Sequence, residues 1–253
     1  MFESSRKGFG IKKIIPLRSL MFLNNMCGRP VKTSIFLILS LVLNLLTFSL
    51  TSNVTFSQAI NVAKVAILGD SLTQGYGLLP SDNLVSQLQD RIIDNNYPVE
   101  LLNLGVSGDT TAGGLARFEW SISSEVSGVI IILGGNDLLR GISPDLSYEN
   151  LKNMITIAKE NGVPVLLVGM TASTNFGSIF KKEFDQIYSR LQTEFDLFYY
   201  ANFFAALNQE NIQLFLSLMQ NDGIHPNKDG VKKIVDDFYP TFQEFLDHIL
   251  SRS

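Results

Sequence analysis

From residue 62 onward the chain repeats one alternation: a short apolar run, then a stretch whose apolar residues recur at helical spacing. The predicted strands are Val62–Leu68, Val99–Val106, Val129–Leu133, Val163–Met170 and Leu197–Ala201. Asp82 is placed to cap a helix that carries Leu84, Val85, Leu88 and Ile92 on one face. Asp145–Gly162 sets Leu151, Ile155 and Ala158 at helical spacing and stops on a glycine. A last helix follows Pro226, a residue suited to a first helical turn, and aligns Val231, Ile234, Val235, Phe238, Phe242, Phe245 and Ile249. Strands that are apolar throughout, rather than alternating, imply burial on both faces and therefore a parallel sheet between helices. The pattern predicts an α/β fold: a three-layer α/β/α sandwich on a five-stranded parallel sheet, one domain over residues 60–253.

Residues 1–59 follow a different pattern. The first 33 carry seven basic side chains against Glu3, and "SIFLILSLVLNLLTFSL" (Ser34–Leu50) then runs 17 residues without a charge. Small and polar residues follow, with Ser57-Gln58-Ala59 placed as a cleavage triplet. A basic stretch, an apolar stretch and a small-residue exit form an export signal; an uncleaved N-terminal membrane anchor is the competing reading. Either puts the following domain in the periplasm or outside the cell, because the basic flank tends to stay inside.

Setting that segment aside changes the electrostatics. Of 20 basic and 24 acidic residues, 13 and 23 remain from Ser34 onward, a net charge of −10. Nucleic-acid binding needs clustered Lys and Arg, and the pairs Lys181-Lys182 and Lys232-Lys233 are isolated. Cys27 is the one cysteine and precedes the apolar stretch, so the domain has no disulfide, cysteine nucleophile or thiolate metal site.

The unusual residues cluster where such sheets bind ligands, beyond the carboxyl ends of the strands. "VAILGDSLTQGYG" ends its apolar run at Gly69-Asp70-Ser71; "NLGVSGDTTAGG" follows the second strand, "LGGND" the third, and "NDGIHPN" precedes the last helix. Of two histidines, His248 lies in the amphipathic tail, whereas His225 lies in a Gly- and Pro-bounded loop three residues after Asp222. One turn would bring that carboxylate to one ring nitrogen and leave the other to take a proton from Ser71. A capping Asp beside a surface His is the plainer alternative. Oxyanion donors would be the N–H groups of Ser71 and Gly108 and the side chain of Asn136; the alternatives there are turn glycines and a turn-capping amide. Asp70 is expected to bond backbone N–H groups of its own turn, with Asp109 and Asp137 doing likewise. Arg117 and Arg140 are expected in exposed helix-face pairs, with an anionic headgroup as the alternative.

Gly69-Asp70-Ser71-Leu72, the glycine of "SGDT" at 108, the asparagine of "GGND" at 136 and "DGIHPN" at 222–227 together resemble the four blocks of the SGNH (GDSL) hydrolases, in family order. "LGVSGDTTAGGLARF" and "LGGNDLLRG" are most similar to the bacterial arylesterase, acyl-CoA thioesterase I and lysophospholipase branch. The resemblance implies a flavodoxin-like sheet of order 2-1-3-4-5 and no cofactor or metal. It implies a catalytic triad of Ser71, His225 and Asp222, with an oxyanion hole from Ser71, Gly108 and Asn136. Two positions depart from the branch: Leu138 stands where relatives often have a smaller residue, and Thr174 where a proline is common.

The reading that follows is a serine esterase acting on acyl esters or thioesters, lysophospholipid among them, as a monomer that meets membranes only through its N-terminal segment. Leu138, Met170 and Phe176 are the expected acyl contacts, with Leu78, Leu79, Leu139 and Ile142 on the same loops. An acetyl esterase of carbohydrates is the nearest alternative. A metallophosphoesterase would need more histidines than this domain has, and a non-catalytic flavodoxin-like module would have no use for the triad.

Overall fold

In the computed structural model, which describes residues 62–122, 125–208 and 210–252, five parallel strands form one sheet in the order β2-β1-β3-β4-β5. They are β1 (Ala63–Gly69), β2 (Val99–Gly105), β3 (Val126–Ile132), β4 (Val165–Val168) and β5 (Phe198–Tyr200). This is the expected sheet, with β3 starting three residues earlier than its apolar run. β1, β3 and β4 are buried nearly throughout. β2 departs from the expectation of two covered faces: it is an edge strand, with Glu100 and Asn103 exposed. The expected signal or anchor over residues 1–59 lies outside the described residues. Among the described residues no helix is long and apolar enough to cross a membrane.

The helices between strands are α1 (Ser71–Gln74), α2 (Leu84–Asp94), α3 (Thr111–Ser121), α4 (Gly135–Arg140), α5 (Pro144–Glu160) and α6 (Gly177–Phe195). After β5 come α7 (Ile212–Ser217) and α8 (Lys228–Leu250). α2 packs with α8 on one side of the sheet, and α3, α5 and α6 pack together on the other. Each long helix buries the stripe its spacing predicts: Leu84, Val85, Leu88 and Ile92 on α2, and Leu151, Ile155 and Ala158 on α5. The same holds on α8 from Val231 to Ile249.

Two caps differ from expectation. Asn83, not Asp82, caps α2 by accepting from Ser86 N–H at 2.9 Å, while the Asp82 carboxylate faces Lys228 Nζ at 3.1 Å. Either residue type suits a cap, and the turn Pro80–Asp82 advances the chain by one position before the helix starts. Pro226 is likewise outside α8. Asn227 is the cap, accepting from Asp229 N–H and Gly230 N–H, and Pro226 instead bridges antiparallel to Met219.

What positions the site is the fit of α1 against the strand ends. β1 and β2 are paired in register as far as Gly69 and Gly105. A Cβ on Gly69 would stand 2.0 Å from Thr73 Oγ1, and one on Gly105 would stand 2.2 Å from Gln74 N. Gly105 is therefore where the backbone of α1 lies directly against the sheet, and Gly69 where the Thr73 side chain does, which sets Ser71 at the rim. Gly105→Ala drives a methyl into main chain and should cost more than about 2 kcal/mol. Gly162→Ala, at φ +69° with nothing within 4 Å, meets only backbone strain and should cost about 1 kcal/mol. Urea midpoints of the two variants check the ordering.

Candidate active site

Ser71 sits at the sharp junction of β1 and α1. Asp70 caps that helix, its Oδ1 accepting from Leu72 N–H at 3.0 Å. Gly75 closes α1 in the left-handed conformation and donates its N–H to Ser71 O. The Ser71 hydroxyl lies 2.8 Å from His225 Nε2, although 154 residues separate the two in the chain.

His225 and Asp222 belong to one turn. Asp222 Oδ1 accepts from Ile224 N–H at 2.9 Å and His225 N–H at 3.0 Å, and its Oδ2 lies 2.7 Å from His225 Nδ1. The His225 main-chain N–H, then its ring, together with the Ile224 N–H, hold the Asp222 carboxyl down to about 2. A carboxylate held that low only accepts, so Nδ1 carries the ring proton towards it. In the neutral ring Nε2 is then the acceptor, and the Ser71 O–H donates to it. The Tyr76 ring stands 4.8 Å from the imidazole, centroid to centroid.

Residues outside the expected set fix this loop. Gln220 donates its main-chain N–H to His225 O at 2.7 Å, and its side chain donates to Tyr76 O and Pro226 O. Asn227 adds side-chain bonds to Ser217 O and Met219 O. Nothing in the sequence marked Gln220: it is a polar residue before a polar turn, and its partners depend on tertiary approach.

The oxyanion candidates come from two further loops. Asn136 opens α4 beyond β3, and its Nδ2 donates to Asp70 Oδ2 at 3.1 Å, which leaves one amide hydrogen for a ligand. Gly108 adopts φ +82°, and its carbonyl accepts from Arg140 Nη2 at 2.9 Å. Arg140 thus ties the Gly108 loop to the helix that carries Asn136. Burial pushes the Asp70 carboxyl up to about 6, partly offset by its bonds from Leu72 N–H and Asn136.

Several neighbouring side chains differ from expectation. Asp70 bonds one N–H of its own turn and otherwise Asn136. Asp137, fully buried, accepts from Thr111 N–H, Thr111 Oγ1 and Ser147 Oγ, so it joins three segments rather than capping its own turn. Asp109 pairs with Arg117 at 2.7 Å, and Arg117 also donates to Gly69 O at 3.0 Å. Arg117 is therefore a half-buried brace on the strand end, neither an exposed helix-face pair nor free for a headgroup. His248 is exposed beside Phe198, away from the triad candidates.

A cavity of about 640 Å³ opens over Ser71. Leu138, Met170, Phe176 and Leu139 line it, while Leu78, Leu79 and Ile142 do not. Phe204, Phe215, Met219 and Ile224 complete the apolar wall. These came from the segment after β5, whose apolar residues follow no regular period. A larger groove of about 840 Å³ lies at the opposite strand ends, lined by Lys159, Glu244, His248 and Arg252 among others. Its Lys159 and Arg252 already donate to Phe195 O and Gly162 O, and it holds no nucleophile–base pair.

Comparisons with known proteins identify the family. Residues 67–233 match the GDSL-like Lipase/Acylhydrolase family. Esterase TesA of Pseudomonas aeruginosa is 32% identical over 194 residues, 76% of this chain and 94% of that protein. Thioesterase 1/protease 1/lysophospholipase L1 of Escherichia coli is 32% identical over 183 residues, 72% of this chain and 84% of that protein. The crystal structure of the esterase EstA from Pseudoalteromonas sp., inhibited by monoethylphosphonate, superposes with a TM-score of 0.67 at 28% identity. It covers 73% of this chain and 98% of that one.

Asp70 generates a test in two parts. An asparagine at 70 has one acceptor oxygen for two donors, Leu72 N–H and Asn136 Nδ2, so one is left facing an amide NH₂. Asp70→Asn should lower kcat about tenfold or more, approaching the loss of an oxyanion donor. The acid is raised in the folded state, from 3.8 to about 6. The stability it lends is therefore full below pH 3.8 and lost as pH rises through about 6. Unfolding free energies of wild type and Asp70→Asn should diverge across that window by on the order of 2 kcal/mol, the variant lacking the decline.

Proposed function

The chain belongs to the GDSL-like lipase/acylhydrolase family and is a hydrolase of ester bonds, and on that footing we propose that Ser71, His225 and Asp222 are its catalytic triad. The observation that carries this is the unbroken relay from Ser71 Oγ through the two ring nitrogens to Asp222, at 2.8 and 2.7 Å. Ser71 Oγ attacks the ester carbonyl carbon while its proton passes to His225 Nε2, and Asp222 steadies the imidazolium. The oxyanion so formed is received by Ser71 N–H, Gly108 N–H and the free amide hydrogen of Asn136. His225 returns the proton to the leaving alcohol or thiol, and an acyl-serine remains. Water then enters, gives its proton to His225, and releases the acid and the serine.

The substrates are small acyl esters or thioesters, lysophospholipid among them. The apolar wall of Leu138, Met170, Phe176, Phe204, Phe215 and Met219 supports an acyl chain over an acetylated sugar, which needs hydrogen-bonding partners there. Every proposed catalytic group comes from the same chain, so the site is complete in a monomer. Export to the periplasm or cell exterior belongs to the same reading, supported by the basic-then-apolar pattern of residues 1–59.

Ser71→Ala and His225→Ala should each reduce hydrolysis of p-nitrophenyl acyl esters by at least about 10³-fold with unchanged thermal unfolding. His248→Ala should be nearly silent. Unchanged turnover in Ser71→Ala removes the nucleophile. An acyl-length series should show kcat/KM rising from acetyl to longer chains, by up to about fifteenfold for each added methylene pair. A maximum at acetyl would move the reading to a carbohydrate esterase.

A further inference from the structure

The segments that carry Ser71, Asn136 and His225, and the wall segment before α6, each set an apolar side chain on the lip of the cavity. Tyr76 follows α1, Leu139 lies on α4, Phe176 precedes α6 and Ile224 precedes His225. All four line the cavity, yet all are 44–56% exposed. A fifth element extends the lip. In α7, Ile-Gln-Leu-Phe-Leu-Ser, no residue is buried although four of six are apolar. Phe215 faces the cavity, and Ile212, three residues earlier and so on the same helical side, is exposed. A helix with four apolar residues of six, none of them buried, normally meets a further apolar phase.

Charge indicates which phase. No Lys, Arg or Glu lines the cavity, and its one carboxylate is the buried Asp70, although the chain from Ser34 onward carries a net −10. The charged groups beside it are held on partners, Arg140 on Gly108 O and Asp222 on His225. A protein seated on this lip would close the entrance through which an ester reaches Ser71. A lipid surface covers the same side chains and supplies the ester.

We propose that the lip formed by Tyr76, Leu139, Phe176, Ile224 and α7 is a docking surface for a zwitterionic phospholipid bilayer, from which acyl esters enter the cavity directly. The source of substrate rests on the ester-hydrolase reading; the docking itself does not. Contact is hydrophobic, so it persists at high salt.

The chain offers a built-in control. Its one tryptophan, Trp120, is 90% exposed near the end of α3. That helix starts at Thr111 beside Asp137 and runs away from the cavity towards the start of β3. In full-length protein, Trp120→Phe combined with Leu139→Trp moves the fluorophore to the lip; Trp120→Phe with Phe176→Trp does so from a second loop. With phosphatidylcholine vesicles carrying brominated acyl chains, both lip tryptophans should be quenched at least twofold, with a blue shift, at low and high salt. Trp120 in the wild type should be little affected. Adding Ser71→Ala should leave the quenching intact while hydrolysis is lost, so failure of the catalytic reading and failure of docking are separate results. Lip tryptophans quenched no more than Trp120 overturn the proposal, whether or not residues 1–59 tether the chain. So does quenching abolished by salt, or lipid-independent self-association that Leu139→Asp abolishes, which would make the lip a protein interface.

Discussion

Two backbones that nearly touch decide where this protein's chemistry can be. Helix α1 runs so close to the ends of β1 and β2 that neither Gly69 nor Gly105 has room for a methyl group. That approach puts a four-residue helix, and with it the Ser71 hydroxyl, on the open edge of a sheet whose interior is apolar. The crossover on the other side of β1 brings Asn136 from the end of β3 to the same crevice. A parallel sheet that changes winding direction at β1 makes such a crevice by geometry alone. The identities of the residues at its mouth are then free to serve reaction rather than packing.

Around that crevice the loops are cross-tied by side chains outside the proposed triad. Asp70 links the serine turn to Asn136, and Arg140 links the helix of Asn136 to the Gly108 carbonyl. Arg117 binds Asp109 to the end of β1, and Gln220 clamps the histidine loop to Tyr76, just beyond α1. Each tie joins two segments distant in sequence, so the loops hold one arrangement despite being short of regular structure. Preorganised donors of this kind spare a reaction the cost of reorienting dipoles as charge develops.

Much of this was legible before any coordinates. The order of apolar runs and helical spacings was enough for the layers, because burial on both faces leaves a parallel strand no polar positions. Ser71, Gly108, Asn136, Asp222 and His225 stood out because they interrupt those patterns at the strand ends. The braces did not stand out. Arg117 looks from sequence like any solvated helix residue, Asp109 like a turn acid and Gln220 like loop filler; their partners are set by tertiary distances that no local period encodes. Phe204 and Phe215 were missed for the related reason that an irregular segment gives no face to assign. The capping errors at Asp82 and Pro226 are one-residue displacements, where two adjacent residues suit nearly the same position.

The four-residue turn that contains both Asp222 and His225 has an effect on how activity can be lost. In a triad whose acid sits on a separate strand, the imidazole can drift from its carboxylate and remain near the alcohol, leaving crippled intermediates. Here the two side chains share one turn, closed by Asp222 Oδ1 on the Ile224 and His225 N–H groups, so a displacement of that turn from Ser71 carries both away together. Movement of this one turn would therefore take from Ser71 its ring partner and that ring's carboxylate at once.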